Sequence, residues 1–170
     1  LGGSESNEVD VSIASGGNSV TTVAGDLSPA GRIRRILTIT NGSSAGEYDG
    51  DVVYTGGATT VAGDLYYYTN TGTWAHTNAT AEATTKGLLA IALGTDSDTH
   101  GMLLRGMVTS GAIAGTQDEG ATVYVRATAG DITTTAPSSS GEIVRIVGYC
   151  MENSNNRMYF NPDSTYIEIA

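Results

Sequence analysis

The run Gly87-Leu88-Leu89-Ala90-Ile91-Ala92-Leu93-Gly94 has a counterpart, aligned without a gap, in Gly141-Glu142-Ile143-Val144-Arg145-Ile146-Val147-Gly148. Each is a segment of strand length, rich in aliphatic residues and held between two glycines, the pattern of a β-strand with tight corners at its ends. The correspondence extends outward from there. Gly63-Asp64-Leu65-Tyr66-Tyr67 through Gly72 aligns with Gly120-Ala121-Thr122-Val123-Tyr124-Val125 through Gly130, and Met102-Leu103-Leu104 falls near Met158-Tyr159-Phe160. The spacing is about 55 residues throughout, a period of the kind that marks tandem units. Each unit reads as strand, turn, polar loop and hairpin. One such unit cannot bury both faces of its sheet, whereas two in tandem can close into a small barrel or sandwich.

The fold class expected is therefore all-β. A small N-terminal β region spans 1–55, and a C-terminal barrel or sandwich spans 56–170, built from units of about 60–112 and 117–170. In the N-terminal region, Val9-Asp10-Val11-Ser12-Ile13 and Arg32-Ile33-Arg34-Arg35-Ile36-Leu37-Thr38-Ile39-Thr40 alternate as strands do, the second stopped by Asn41-Gly42-Ser43-Ser44. The hexamer Thr22-Val23-Ala24-Gly25-Asp26-Leu27 is identical to Thr60-Val61-Ala62-Gly63-Asp64-Leu65 and suggests a third, degenerate unit. Asp51-Val52-Val53-Tyr54 and Asp64-Leu65-Tyr66-Tyr67-Tyr68 are short strands, with Asp49-Gly50-Asp51 as a hairpin turn before the first. Asn78-Ala79-Thr80-Ala81-Glu82-Ala83 is the one plausible helix, capped by Asn or Thr and closed by Gly87 in a left-handed conformation.

Composition narrows the function. With 18 Asp+Glu against 8 Lys+Arg the net charge is −10, and seven scattered Arg with the single Lys86 form no basic stripe to release counterions from DNA or RNA. Nucleic-acid binding is disfavoured. No apolar run approaches the ~20 residues of a membrane-spanning helix, and membrane insertion is not expected. The start Leu1-Gly2-Gly3-Ser4 resembles neither a signal peptide nor a basic anchor, and the absent Met suggests a processed chain or a fragment. A lone Cys150 makes no internal disulfide. With one Trp and one Phe the core is thin in bulky groups, which predicts subunits that complete each other's packing.

Candidate chemistry is sparse. His76 and His100 lie in no catalytic motif, and Thr95-Asp96-Ser97-Asp98-Thr99-His100-Gly101 reads as a hairpin loop. A calcium site at Asp96 and Asp98 is the sharper alternative, but the later bidentate Glu of a calcium loop is missing. Glu47, Asp49, Asp51, Asp64, Asp118 and Glu119 single out no acid/base pair and read as turn or edge residues. One Cys and two distant His give no zinc spacing, so no catalytic residue, metal or cofactor is assigned. Cys150 reads as a small core residue. The residues singled out for contact with a partner or a glycan are Tyr66, Tyr67, Tyr68 and Trp74. Successive tyrosines on a strand face opposite sides, so at least one should be exposed or at a subunit interface, with packing the favoured role.

From about Gly63 to the C-terminus the chain resembles the terminal β domain of bacteriophage virion proteins: tail fibres, appendages and capsid fibres. The resemblance rests on Gly63-Asp64-Leu65-Tyr66, Gly87-Leu88-Leu89-Ala90-Ile91-Ala92-Leu93-Gly94, Gly101-Met102-Leu103-Leu104-Arg105-Gly106, Ile143-Val144-Arg145-Ile146-Val147-Gly148-Tyr149, and Tyr159-Phe160-Asn161-Pro162-Asp163 to Ile167-Glu168. It implies a non-enzymatic structural protein on the exterior of a phage particle, commonly a homotrimer. Its partners would be its own copies and other capsid or tail proteins, with a host surface glycan as a further one. The rival readings are a glycan-binding or glycan-degrading tail-spike domain and a bacterial surface adhesin module.

Overall fold

The structure, a computed structural model, describes residues 44–152 and 155–170. The chain divides into two compact units, Leu1–Arg35 and Ile36–Ala170, and every described residue belongs to the second. The strands expected at Val9–Ile13 and Arg32–Thr40, and the hexamer Thr22–Leu27, lie outside the described residues.

Among the described residues, twelve strands and one helical turn follow in chain order: β1 Tyr48–Val53, β2 Leu65–Tyr68, β3 Trp74–His76, α1 Glu82–Thr85, β4 Leu89–Ala92, β5 Met102–Thr109, β6 Ile113–Ala114, β7 Thr122–Val125, β8 Ile132–Thr133, β9 Ile143–Val144, β10 Ile146–Cys150, β11 Arg157–Phe160 and β12 Ile167–Glu168. The protein is all-β, as its composition requires. Ten strands form one sheet in the order β3-β2-β4-β5-β11-β10-β7-β8-β6, with β1 joined to β5 off this path, and β12 pairs with β9 in a separate ribbon.

β5 organises the sheet because it is long enough to serve two neighbours on one edge. Its start, Met102 and Leu103, pairs with Ala92 and Ile91 of β4, and its end, Gly106–Thr109, pairs with Phe160–Arg157 of β11. β1 runs along the strand from Tyr48↔Val108 to Val53↔Met102, with a bulge between Asp51 and Val52. Asp49-Gly50-Asp51 is therefore strand, not the turn its composition suggests, and β1 belongs to the main sheet. Gly50 stands opposite Gly106 in this pairing.

On either side of the β5/β11 contact the strand order reads β5-β4-β2-β3 and β11-β10-β7-β8. Backbone bonds of a similar kind occur on the two sides of that contact. Gly63 N donates to Ala92 O at 2.7 Å and Gly120 N to Cys150 O at 2.8 Å, while Tyr68 N donates to Leu88 O at 2.9 Å and Val125 N to Arg145 O at 3.1 Å. By these bonds the counterpart of Ala92 is Cys150, whereas the ungapped alignment sets Ala92 on Ile146, four residues earlier. The octamers thus do not match in the register that the sequence alignment predicts. A bulge between Ile146 and Gly148 absorbs part of the difference.

The sheet curls until its halves touch. Leu65 N donates to Gly130 O, Gly130 N to Thr77 O and Ala79 N to Arg126 O, each at 2.8 Å. Inside the curl lies the main core, which includes Leu65, Leu89, Ile91, Leu103, Val108, Val123, Val125, Val147, Met158 and Phe160. Cys150 is buried there, as expected for a small apolar residue. Ala58, Tyr66, Trp74, Ala90, Ala92 and Met102 form a second layer on the opposite face. β2 and β4 are thus packed on both faces, which is why their sequences read as continuous apolar runs rather than alternating ones. The helix is shorter and later than expected: α1 has Ala81 at its N-cap without a side-chain bond, and Gly87 does adopt the left-handed φ of +80°. The Asn78 side chain instead accepts from the Thr80 amide at 3.1 Å.

Candidate functional site

The four aromatic residues singled out in the sequence separate into two pairs. Tyr66 and Trp74 are buried in the second layer. The Tyr66 hydroxyl accepts from Val61 N at 2.9 Å, and the Trp74 indole donates to Thr55 O at 2.8 Å, so both hold down the chain leading from β1 to β2. Tyr67 and Tyr68 are half-buried, and none of the three tyrosines is fully exposed within the described unit. Tyr68 lies against Trp74 with ring centroids 4.8 Å apart and planes at 58°, a tilted aromatic contact.

Beyond that contact Tyr67 and Tyr68 line a cleft of about 680 Å³, completed by Thr69, Asn70 and Thr71 of the β2–β3 turn and by Ala83, Lys86 and Gly87 at the end of α1. This is within the size range of small-ligand sites. Lys86, the only lysine, approaches Glu82 at 3.6 Å, so the fringe of the cleft carries little net charge. The Tyr166 hydroxyl donates to the same carboxylate at 2.6 Å and is the main reason that the Glu82 pKa lies below its ordinary value. A second cleft of about 420 Å³ lies between Arg126 and Ala127 after β7 and the Thr135–Glu142 segment. It contains no aromatic residue.

The acidic and basic candidates are tied into the scaffold. His76 Nε2 lies 3.2 Å from Asp64 Oδ2, with its ring 4.3 Å from that of Tyr66. Burial pushes the Asp64 carboxyl above the ordinary aspartate value; His76 opposes this and Asp131 adds to it. In the 95–101 loop Asp96 Oδ1 accepts from Asp98 N at 3.0 Å and Thr99 N at 2.9 Å, which holds its pKa low. Asp98 accepts from Gly57 N at 3.1 Å and Ser97 from Ala58 N at 3.0 Å. Asp98 and Ser97 thereby hold Gly57 and Ala58 in place while Asp96 shapes the loop, a structural use of both aspartates. Among the described residues no three His, Cys, Asp or Glu side chains converge as metal ligands. Asp49 and Asp51 lie along β1, while Asp118 and Glu119 precede β7.

Comparison with family models, with curated proteins and with solved structures finds no match.

Arg145 is a structural residue that no motif singles out. It is buried, and its guanidinium donates from Nε to Asp163 O at 2.8 Å, from Nη2 to Gly87 O at 3.0 Å and from Nη1 to Thr85 O. Burial lowers its pKa, with Asp163 opposing. Three planar donors aimed at three carbonyls fix the end of α1 against β9, β10 and the C-terminal segment. The signal for this was present in the sequence: a lone cation inside Ile143-Val144-Arg145-Ile146-Val147 has to be buried with partners.

Proposed function

We propose that this chain is a non-enzymatic structural protein of an assembled particle, of the kind found as trimeric fibre, appendage or capsid-decorating components on the exterior of bacteriophage virions. The two halves of the sheet serve as a duplicated, rigid head, and the N-terminal part serves for attachment to other virion proteins. The observation that carries the reading is a filled core combined with large apolar side chains left outside it: Tyr48, Tyr54, Val61, Leu88, Tyr149, Met151 and Ile167 are exposed. On an acidic surface these are contact points for further copies or for other particle proteins. The engagement of His76, Asp96 and Asp98 in bonds that hold the scaffold supports a structural role over a catalytic one.

Light scattering of the purified full chain tests the assembly. A mass three times the 17.4 kDa of one chain is expected. A stable monomer at micromolar concentration would overturn the trimer, and locating the chain in a density map of intact virions decides the rest.

The cleft at Tyr67 and Tyr68 favours a second reading, in which the head binds a host surface glycan. Tyrosine faces stack on sugar rings, and the Thr69, Asn70 and Thr71 side chains offer hydroxyl and amide partners. Tyr68→Ala that assembles normally but loses adsorption to host polysaccharide supports it. Unchanged adsorption removes it.

A further inference from the structure

The seam at which the curled sheet meets itself includes a ring of three backbone bonds around Gly130. Leu65 N donates to Gly130 O and Gly130 N to Thr77 O, both at 2.8 Å, while Thr77 N donates to Leu65 O at 3.1 Å. Asp64 and His76 each precede one of the two residues bonded to Gly130, and their side chains meet over that glycine. His76 Nε2 lies 3.2 Å from Asp64 Oδ2. A Cβ on Gly130 would lie 2.7 Å from His76 Cδ2 and 2.9 Å from Asp64 Oδ2, and its φ of +81° is one that glycine favours. The pair is thus seated directly on a piece of backbone that joins the two halves.

The charges at this seam balance in one protonation state only. Asp131, next after Gly130, is a second carboxylate, and Arg126 Nη1 donates to it at 2.8 Å. Burial presses Asp64 towards its protonated form; His76 opposes this and Asp131 adds to it. Tyr66, whose ring lies 4.3 Å from that of His76, brings no charge, because burial raises its hydroxyl pKa. Among these described residues two carboxylates therefore face one permanent cation, Arg126, and an imidazolium would be the second. Histidine is the side chain that gains or loses its charge between about pH 5 and 8.

We propose that His76 is a pH-sensitive latch on the seam. Protonated, it pairs with Asp64 and holds Leu65 and Thr77 against Gly130. Neutral, it leaves Asp64 and Asp131 with the single cation Arg126, and the three seam bonds open more often while the rest of the sheet stays closed. The pair contributes only while the imidazole is charged, so within that window the seam weakens as the pH rises. The His76 side chain is 38% exposed and that of Asp64 23%, so water screens the pair and the effect is local.

Amide hydrogen exchange on the full chain, corrected for the intrinsic pH dependence of exchange, tests the latch. From about pH 5 to 8 the protection of Leu65, Thr77 and Gly130 should fall roughly threefold, the size of a half-exposed ion pair, while β11 is unchanged. His76→Gln, which keeps a hydrogen-bond donor but no charge, should flatten that profile. His100→Gln, at the only other histidine, should leave it as in the parent. Asp131→Asn should shrink the fall, because one of the two carboxylates is gone. Seam protection that is flat in the parent, that falls equally in β11, or that keeps its pH dependence in His76→Gln would overturn the proposal. So would an undiminished fall in Asp131→Asn, a reading that stands even if the His76 variant does not fold.

Discussion

Gly50 and Gly106 face each other across β1 and β5, and neither position has room for a side chain. A Cβ on Gly50 would lie 2.3 Å from Arg105 O, and one on Gly106 would lie 2.4 Å from Asp49 O. Gly106 also holds a φ of +145°, which L residues rarely adopt. The pair permits β1 to approach β5 beside the place where β5 passes from β4 to β11. Gly106→Ala should cost at least about 2 kcal/mol, from backbone strain and overpacking together. Thermal unfolding should then fall by roughly 4–8 °C. Gly87→Ala is the control: its φ is +80° but nothing lies within 4 Å of the added carbon, so about 1 kcal/mol is expected. Equal losses in the two variants would show that close approach is not what Gly106 supplies.

Arg145→Met should destabilise by about 3 kcal/mol or more, because three carbonyls lose a charged donor. Arg145→Lys should fall between parent and Met, since an ammonium cannot reproduce the planar fork. Urea unfolding measures both. A Lys variant as stable as the parent would mean that charge, not the geometry of the bonds to Thr85, Gly87 and Asp163, is what matters.

Asp64 sets a pH dependence of definite sign. Its folded pKa lies above its unfolded value, so in the window just above the ordinary aspartate pKa the native state holds a proton that the unfolded chain has released. That contribution is present below the unfolded pKa and is lost as pH rises through the folded one. The stability of the parent relative to Asp64→Asn should therefore decline as pH is raised from roughly 3 to 6, read from urea midpoints. A difference that grows with pH would mean that attraction to His76 outweighs burial.

Cys150 is fully buried, and burial followed by the nearby Asp118 raises its thiol pKa. Native protein should resist thiol reagents at mildly alkaline pH and react stoichiometrically once unfolded in urea. Rapid modification of the native protein would show that β10 opens readily.

Much of the sheet is readable from local pattern. The aliphatic runs at β4 and β10 and the alternation in β7 announce strands, and glycines mark the corners. The register between the halves is different in kind. Alternation has a period of two, so the slip of four residues at Ala92 leaves that side chain on the same face and goes unseen. Only the ladder bonds distinguish Cys150 from Ile146 as the counterpart of Ala92. Tyr66-Tyr67-Tyr68 is a similar case. The run announces a strand, but whether its second face meets water or a second packed layer depends on residues 55–61, which the run itself does not contain.

By itself, then, the sequence determined the class of structure: strands in number, glycine corners, an acidic surface and an apolar place for Cys150. These follow from propensities and periodicities that act within a few residues. Tertiary structure alone decided that Asp49-Gly50-Asp51 is strand, that Tyr66 and Trp74 anchor a covering segment, that Tyr67 and Tyr68 border a cleft, and that Arg145 joins three distant segments. Each depends on a partner far along the chain, and backbone approach and buried hydrogen bonds are satisfied only when the curl of the sheet brings those partners together.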